Sequence, residues 1–134
     1  MSERLFTPAE IDGLIPRLSE LMERGMKHQR QATDLGRHLH EEQARIRASG
    51  GGLIDQRDWK ARAERLDGLA IEVREVVREI MAMGGVTKDL ETGLVDFPGL
   101  VGDETVNLCW KYGETAVRFW HGLDEGFAER RALP

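Results

Sequence analysis

The stretch GGVTKDLETGLVDFPG, Gly84–Gly99, marks where the chain changes its period. Before it, apolar residues recur in steps of three and four, the repeat of one helix face. After it, short runs of alternating residues are separated by glycine-containing turns, the signature of antiparallel strands. That single change of period predicts an α+β chain, helical first and sheet-forming second.

The helical part can be read in some detail. Thr7-Pro8-Ala9-Glu10 has the form of a helix start: a capping threonine, proline at the first helical position and glutamate three residues after the cap. Ile11, Leu14, Leu18, Leu21, Ala32, Leu35, Leu39 and Ile46 then form one narrow stripe, interrupted by Gly25, His28 and Glu42. Pro16 removes a backbone hydrogen bond, so a kink or break is expected near it. Ser49-Gly50-Gly51-Gly52 stops the helix. A second stripe runs through Trp59, Leu66, Leu69, Val73, Val76, Ile80 and Met83, with Arg62 on the seam. Asp55 or Asp58 can cap its start, and Gly84-Gly85 ends it. Two such helices joined by glycines predict a long antiparallel two-helix hairpin, coiled-coil-like, over residues 7–84. At 1.5 Å per residue the first helix would span ~60 Å and the second only ~40 Å. The overhang, from Ile11 to Leu21, is where the C-terminal part is expected to pack.

In the second part, VTKDLETGLVDF reads as strand, turn and strand, with Thr92-Gly93 in the turn and Pro98 and Gly99 ending the second strand. Gly102-Asp103 makes another turn. TVNLCWKY and TAVRFWH follow, divided by Gly113-Glu114, and a leading glycine in a two-residue loop suits a type II′ hairpin. That loop would pair Trp110 with Val117, Leu108 with Phe119 and Val106 with His121 on one apolar face. The other face would carry Cys109 beside Arg118 and Asn107 beside Trp120, so Cys109 and His121 would point to opposite sides. The expectation is one domain, 1–134, with a small antiparallel sheet of three or four strands over 85–121. A tail over 122–134 would hold a short turn or helix and a ragged end.

Bulk composition narrows the class. The chain has 134 residues, 32% charged and 40% hydrophobic, enough for one modest core. Its net charge of −5 is uneven. Residues 1–85 hold 14 Lys/Arg against 15 Asp/Glu, and residues 86–134 hold 5 against 9, so the excess acid lies in the last third. This argues against a nucleic-acid backbone as partner there. No apolar run approaches the ~20 residues of a membrane span, and MSERLFTPAE lacks the pattern of a signal peptide. A single cysteine permits no intrachain disulfide, which points to a reducing, cytoplasmic setting.

The chemically capable residues crowd into the last third as well. Asp96 lies in an apolar strand and needs a partner if buried; His121, at the end of a strand, is the natural candidate. Glu114, Arg118 and Arg130, beside Trp110 and Trp120, complete a candidate binding cluster. The expected use of Cys109 is as a small core residue. No CxxC or HxxxH spacing marks a zinc site, so no cofactor is expected, with a metal at Asp96 and His121 left open. His38, Glu41 and Glu42 share a helix face and read as solvated charge. The glycines at 50–52 match no phosphate loop, because no Gly-Lys-Ser/Thr follows.

KDLETGLVDFPG, NLCWKYGE and FWHGLDEGFAERR together resemble the signature of an uncharacterised prokaryotic family, a domain of unknown function. Its motif residues fall on Lys88, Asp89, Leu90, Gly93, Leu94, Val95, Asp96, Phe97 and Pro98. They continue on Leu108, Cys109, Trp110, Gly113 and Glu114, then Trp120, His121, Gly126, Phe127, Ala128 and Arg130. Members often have proline after the Gly-Glu pair, where this chain has Thr115. The resemblance implies membership and no reaction. Two functional classes follow from the residues. One is a non-catalytic interaction or scaffolding module, forming a homodimer through its hairpin as a four-helix bundle or binding an unknown protein partner. The other is a small-molecule or metal-binding enzyme built on the Asp96, His121 and Glu114 cluster.

Overall fold

The computed structural model describes residues 4–50 and 55–134 of the chain. Two helices are followed by a five-stranded antiparallel sheet, an α+β fold carrying a helical hairpin. Helix α1 runs Pro8–Ala48 and α2 runs Gln56–Ala82. The N-terminal capping box forms as the sequence predicts: the Glu10 N–H donates to the Thr7 hydroxyl, and the Thr7 N–H donates to the Glu10 carboxylate. Asp55, not Asp58, caps α2, accepting from the N–H groups of Arg57 and Asp58. Gly51 and Gly52 of the expected linker lie outside the described residues.

Helix α1 is continuous through both Pro16 and Gly25, where a kink or break near the proline was the expectation. Pro16 is exposed, so the Asp12 carbonyl that loses its partner need not be buried without one. Gly25 is buried for a different reason. A Cβ built there would lie 2.8 Å from Val76 Cγ1, so glycine lets α1 and α2 approach closely where the core ends.

The strands are β1 Val86–Asp89, β2 Leu94–Val101, β3 Glu104–Lys111, β4 Phe119–His121 and β5 Arg131–Ala132, each paired with the next. One face of the sheet rests on the first half of α1. Ile11, Ile15, Leu18, Leu21 and Met22 pack against Val95, Phe97, Val106, Leu108 and Trp110, all of them buried. This is the overhang anticipated from the unequal helix lengths. Phe6 closes the edge of this core, edge-on to Phe97 at 5.2 Å between ring centres.

Three expectations about the sheet are corrected. There are five strands, not three or four, because residues 131–132 of the supposed ragged tail pair with β4. Strand β2 does not end at Pro98-Gly99 but continues to Val101. Proline is tolerated there because β1 reaches only as far as Asp96, leaving that edge of β2 to the chain start. The Phe6 N–H donates to the Pro98 carbonyl at 2.7 Å.

The third correction matters most. Strand β4 pairs Asn107 with His121, Leu108 with Trp120 and Cys109 with Phe119, one residue away from the register of a two-residue turn. Residues 112–118 form a longer loop, held by polar side chains that a turn rule does not see. The Glu114 carboxylate accepts the Lys111 N–H at 2.7 Å, and the Trp110 indole N–H donates to the Glu114 carbonyl at 3.0 Å. Asp12, far off on α1, accepts the Val117 N–H at 2.7 Å and draws the chain toward the helix. A shift of one residue exchanges the faces of a whole strand.

Candidate functional site

On the face of the sheet turned away from the helices, alternation brings together Asp96 of β2, Cys109 of β3 and, by the corrected register, His121 of β4. Asp96 lies directly across from Cys109. His121 pairs with Asn107, two residues before Cys109 on the same side of β3. All three side chains are buried, with 3%, 1% and 2% of their surface exposed. One potential ligand atom from each lies within 4.8 Å of the others. The expected separation of Cys109 from His121 is therefore overturned.

The His121 ring is fixed at both nitrogens. Nδ1 lies 2.9 Å from the Gly122 carbonyl oxygen, which can only accept, so Nδ1 carries the proton. Nε2 points at the Asp96 carboxylate, 3.1 Å from each of its oxygens. Cys109 sits beside this pair as a thiol. Burial first, and then the negative charge of Asp96, push it up to about 12. A thiol held there is a poor nucleophile.

The other residues of the predicted cluster divide into separate groups. Glu114 forms an ion pair with Arg130, whose guanidinium lies over the rings of Phe119 at 3.9 Å and Phe127 at 4.7 Å. A guanidinium stacked and paired in this way anchors the C-terminal segment. Arg118 is exposed, and its backbone carbonyl accepts the Leu133 N–H at 2.8 Å. Trp110 is in the helix-facing core and Trp120 is half-buried against it, with Arg131 over its ring. The geometry thus joins Asp96 to His121, adds Cys109, and places Glu114 with Arg130.

Two contributors escaped the sequence reading. Glu125 accepts the Gly122 N–H at 2.7 Å and pairs with Arg131, which fixes the chain just after His121. Those contacts hold its carboxyl below the usual range. The Gly-Leu-Asp-Glu spacing, a carboxylate three residues past a glycine, was the available signal. Cys109 was missed as a neighbour of His121 because the face of His121 depended on the register. A groove of about 310 Å³ reaches Asp96 from outside, passing Lys88, Pro98, Asn107 and Leu123.

On the helices, His38 lies exposed and makes no pair with Glu42. Glu42 instead meets Arg62 at 2.6 Å, and Arg62 also meets Asp58 at 3.0 Å, so the seam arginine ties the two helices together. No helix among the described residues is long and apolar enough to cross a membrane.

No curated protein and no solved structure matches this chain. A family model does match, over residues 4–133, and it covers the hairpin, the whole sheet and all three buried residues. The chain therefore belongs to the family of uncharacterized conserved proteins designated DUF2203.

Proposed function

We propose that the protein is a non-catalytic interaction module that pairs with a second copy of itself through its helical hairpin. The supporting observation is the arm beyond Gly25. There α1 and α2 continue together past the β1–β2 turn, which reaches residues 29–34, and Leu39 and Leu69 are the arm's only buried large apolar residues among the described residues. Leu35, Ile46, Trp59 and Leu66 remain half-buried, and Ile71 is 49% exposed. Two helices alone cannot cover a seam from both sides; four can.

One face of the arm suits such a pairing. Ala61, Gly68 and Leu69 line a shallow depression together with Lys27, Arg65, Glu64 and Glu72. Both signs on one patch suit a two-fold interface, where each patch meets its own copy. Gly68 costs the helix ~1 kcal/mol relative to alanine, and a Cβ built there would meet nothing within 4 Å. Among the described residues no contact accounts for that glycine, which shares its openness with Gly13 and Gly36 of α1, and close approach of another helix would use it. The arm from residue 26 to 48 is about 34 Å long and two helices wide, a face of roughly 700 Å² per copy. Doubled, that is within the range of stable interfaces.

The enzymatic alternative, with Asp96, Glu114 and His121 converging on a ligand, is less well supported, because Glu114 is turned to Arg130 and Asp96 and His121 face each other in a buried site. Light scattering on a dilution series tests the proposal. The wild type should be a dimer at micromolar concentration, and Gly68→Gln should be a monomer of undiminished helicity. A monomeric wild type, or a Gly68→Gln variant as dimeric as the parent, would refute it.

A further inference from the structure

We infer that Asp96, Cys109 and His121 form a binding site for one zinc-class divalent transition-metal ion. The inference starts from His121. With Nδ1 against the Gly122 carbonyl, Nε2 is turned to the two oxygens of Asp96. Nitrogen, carboxylate and sulfur thus meet in one buried site, where a cation can be held by all three. The Cys109 thiol also hydrogen-bonds to Asp96, so the three groups converge on one point. A metal ion satisfies all three, because it also takes the Cys109 sulfur as thiolate.

The donor set fits that ion. Imidazole nitrogen, thiolate and carboxylate are the three ligand types zinc uses, at 2.0–2.3 Å. Ligand atoms at such distances around a tetrahedral ion lie ~3.3–3.7 Å apart. The present separations, 3.1 Å between Nε2 and the carboxylate oxygens and at most 4.8 Å across the set, need only small adjustments. Charge also balances, since a carboxylate and a thiolate neutralise a dication. Arg130 is already occupied by Glu114. A histidine whose second nitrogen is fixed by a backbone carbonyl is the usual supported metal ligand. Three adjacent strands supply the three ligands, a rigid frame for a preformed site. The groove beside Asp96 and Asn107 gives an ion a path to the carboxylate from outside.

The test uses the full chain, stripped with a chelator and titrated with zinc by calorimetry, and then with cobalt by absorption. One ion per chain should bind, with a thiolate-to-cobalt charge-transfer band, and zinc should raise the melting temperature. Cys109→Ser and Asp96→Asn, both close in shape to the parent and checked for fold by circular dichroism, should each weaken binding at least ~100-fold. A His38→Ala/His40→Ala variant should bind as the parent does. Absence of saturable binding by the parent overturns the inference. So does unchanged affinity in Cys109→Ser, which would place the ion on surface histidines.

Discussion

Replacing Asp12 with alanine would test why the β3–β4 connection is a loop and not a tight hairpin. The Asp12 carboxylate is half-buried and accepts the Val117 N–H at 2.7 Å, across 105 residues of sequence. Val117 itself is 4% exposed, so its amide has little access to replacement water. A hydrogen bond to a charged group contributes ~1.5–3 kcal/mol, and a buried donor left unpaired costs ~1–3 kcal/mol. Partial exposure of the carboxylate places the expectation near 2 kcal/mol for Asp12→Ala. Asp12→Asn keeps an acceptor oxygen and loses only the charge, so it should cost about half as much. Urea unfolding gives the equilibrium change, and hydrogen exchange localises it: the Val117 amide should lose protection in Asp12→Ala, while the amides of β2 keep theirs until global opening. A loss below ~0.5 kcal/mol, with Val117 still protected, would show that this contact does not hold the loop, and the account of the shifted register would fail.

Three further outcomes are expected. Cys109, buried and with its thiol pushed up to about 12, should resist iodoacetamide in the native protein at pH 8 and react only on unfolding; labelling at the rate of an exposed thiol would contradict its placement. Trp110→Ala should cost ~3–5 kcal/mol in denaturant melts, because it leaves a large cavity in the core under α1; a loss under ~1 kcal/mol would mean the sheet does not pack there. Asp89 is held below its ordinary value of 3.8 by the Thr92 hydroxyl and then the Glu91 N–H, which close the β1–β2 turn. Its contribution is therefore full above about pH 4 and is lost as the pH falls through the depressed value. Asp89→Asn should abolish that part of the acid dependence, as read from melting temperature against pH.

The helices were legible because their signals are local. Thr7, Pro8 and Glu10 lie within one turn, and the stripes from Ile11 and Trp59 report a period that packing then uses. The unequal helix lengths even pointed to the core, since the start of α1 was expected to overhang α2 around Ile11 to Leu21, where the sheet packs together with Val76 and Ile80 of α2. The sheet was legible only in part. Gly93 and Gly102 marked two of its turns, both with positive φ. The Gly113-Glu114 turn misled, because the strands are tied there by the Glu114 side chain and by Asp12 from the far end of the chain. No local rule contains a contact between residues 12 and 117. The error carried over to the site: Cys109 was given its proper face, but His121 was assigned to the core face with Val106, so the two were kept apart. Strand β5 has two residues, too few for any period to show.

Self-association through the arm is the central claim, and native mass spectrometry tests it most directly. The chain mass is 15.2 kDa. The account predicts a wild-type species at twice that mass and a Gly68→Gln species at the single-chain mass. A wild type that flies as a single chain from micromolar solution, or a Gly68→Gln variant that keeps the double mass, would contradict it.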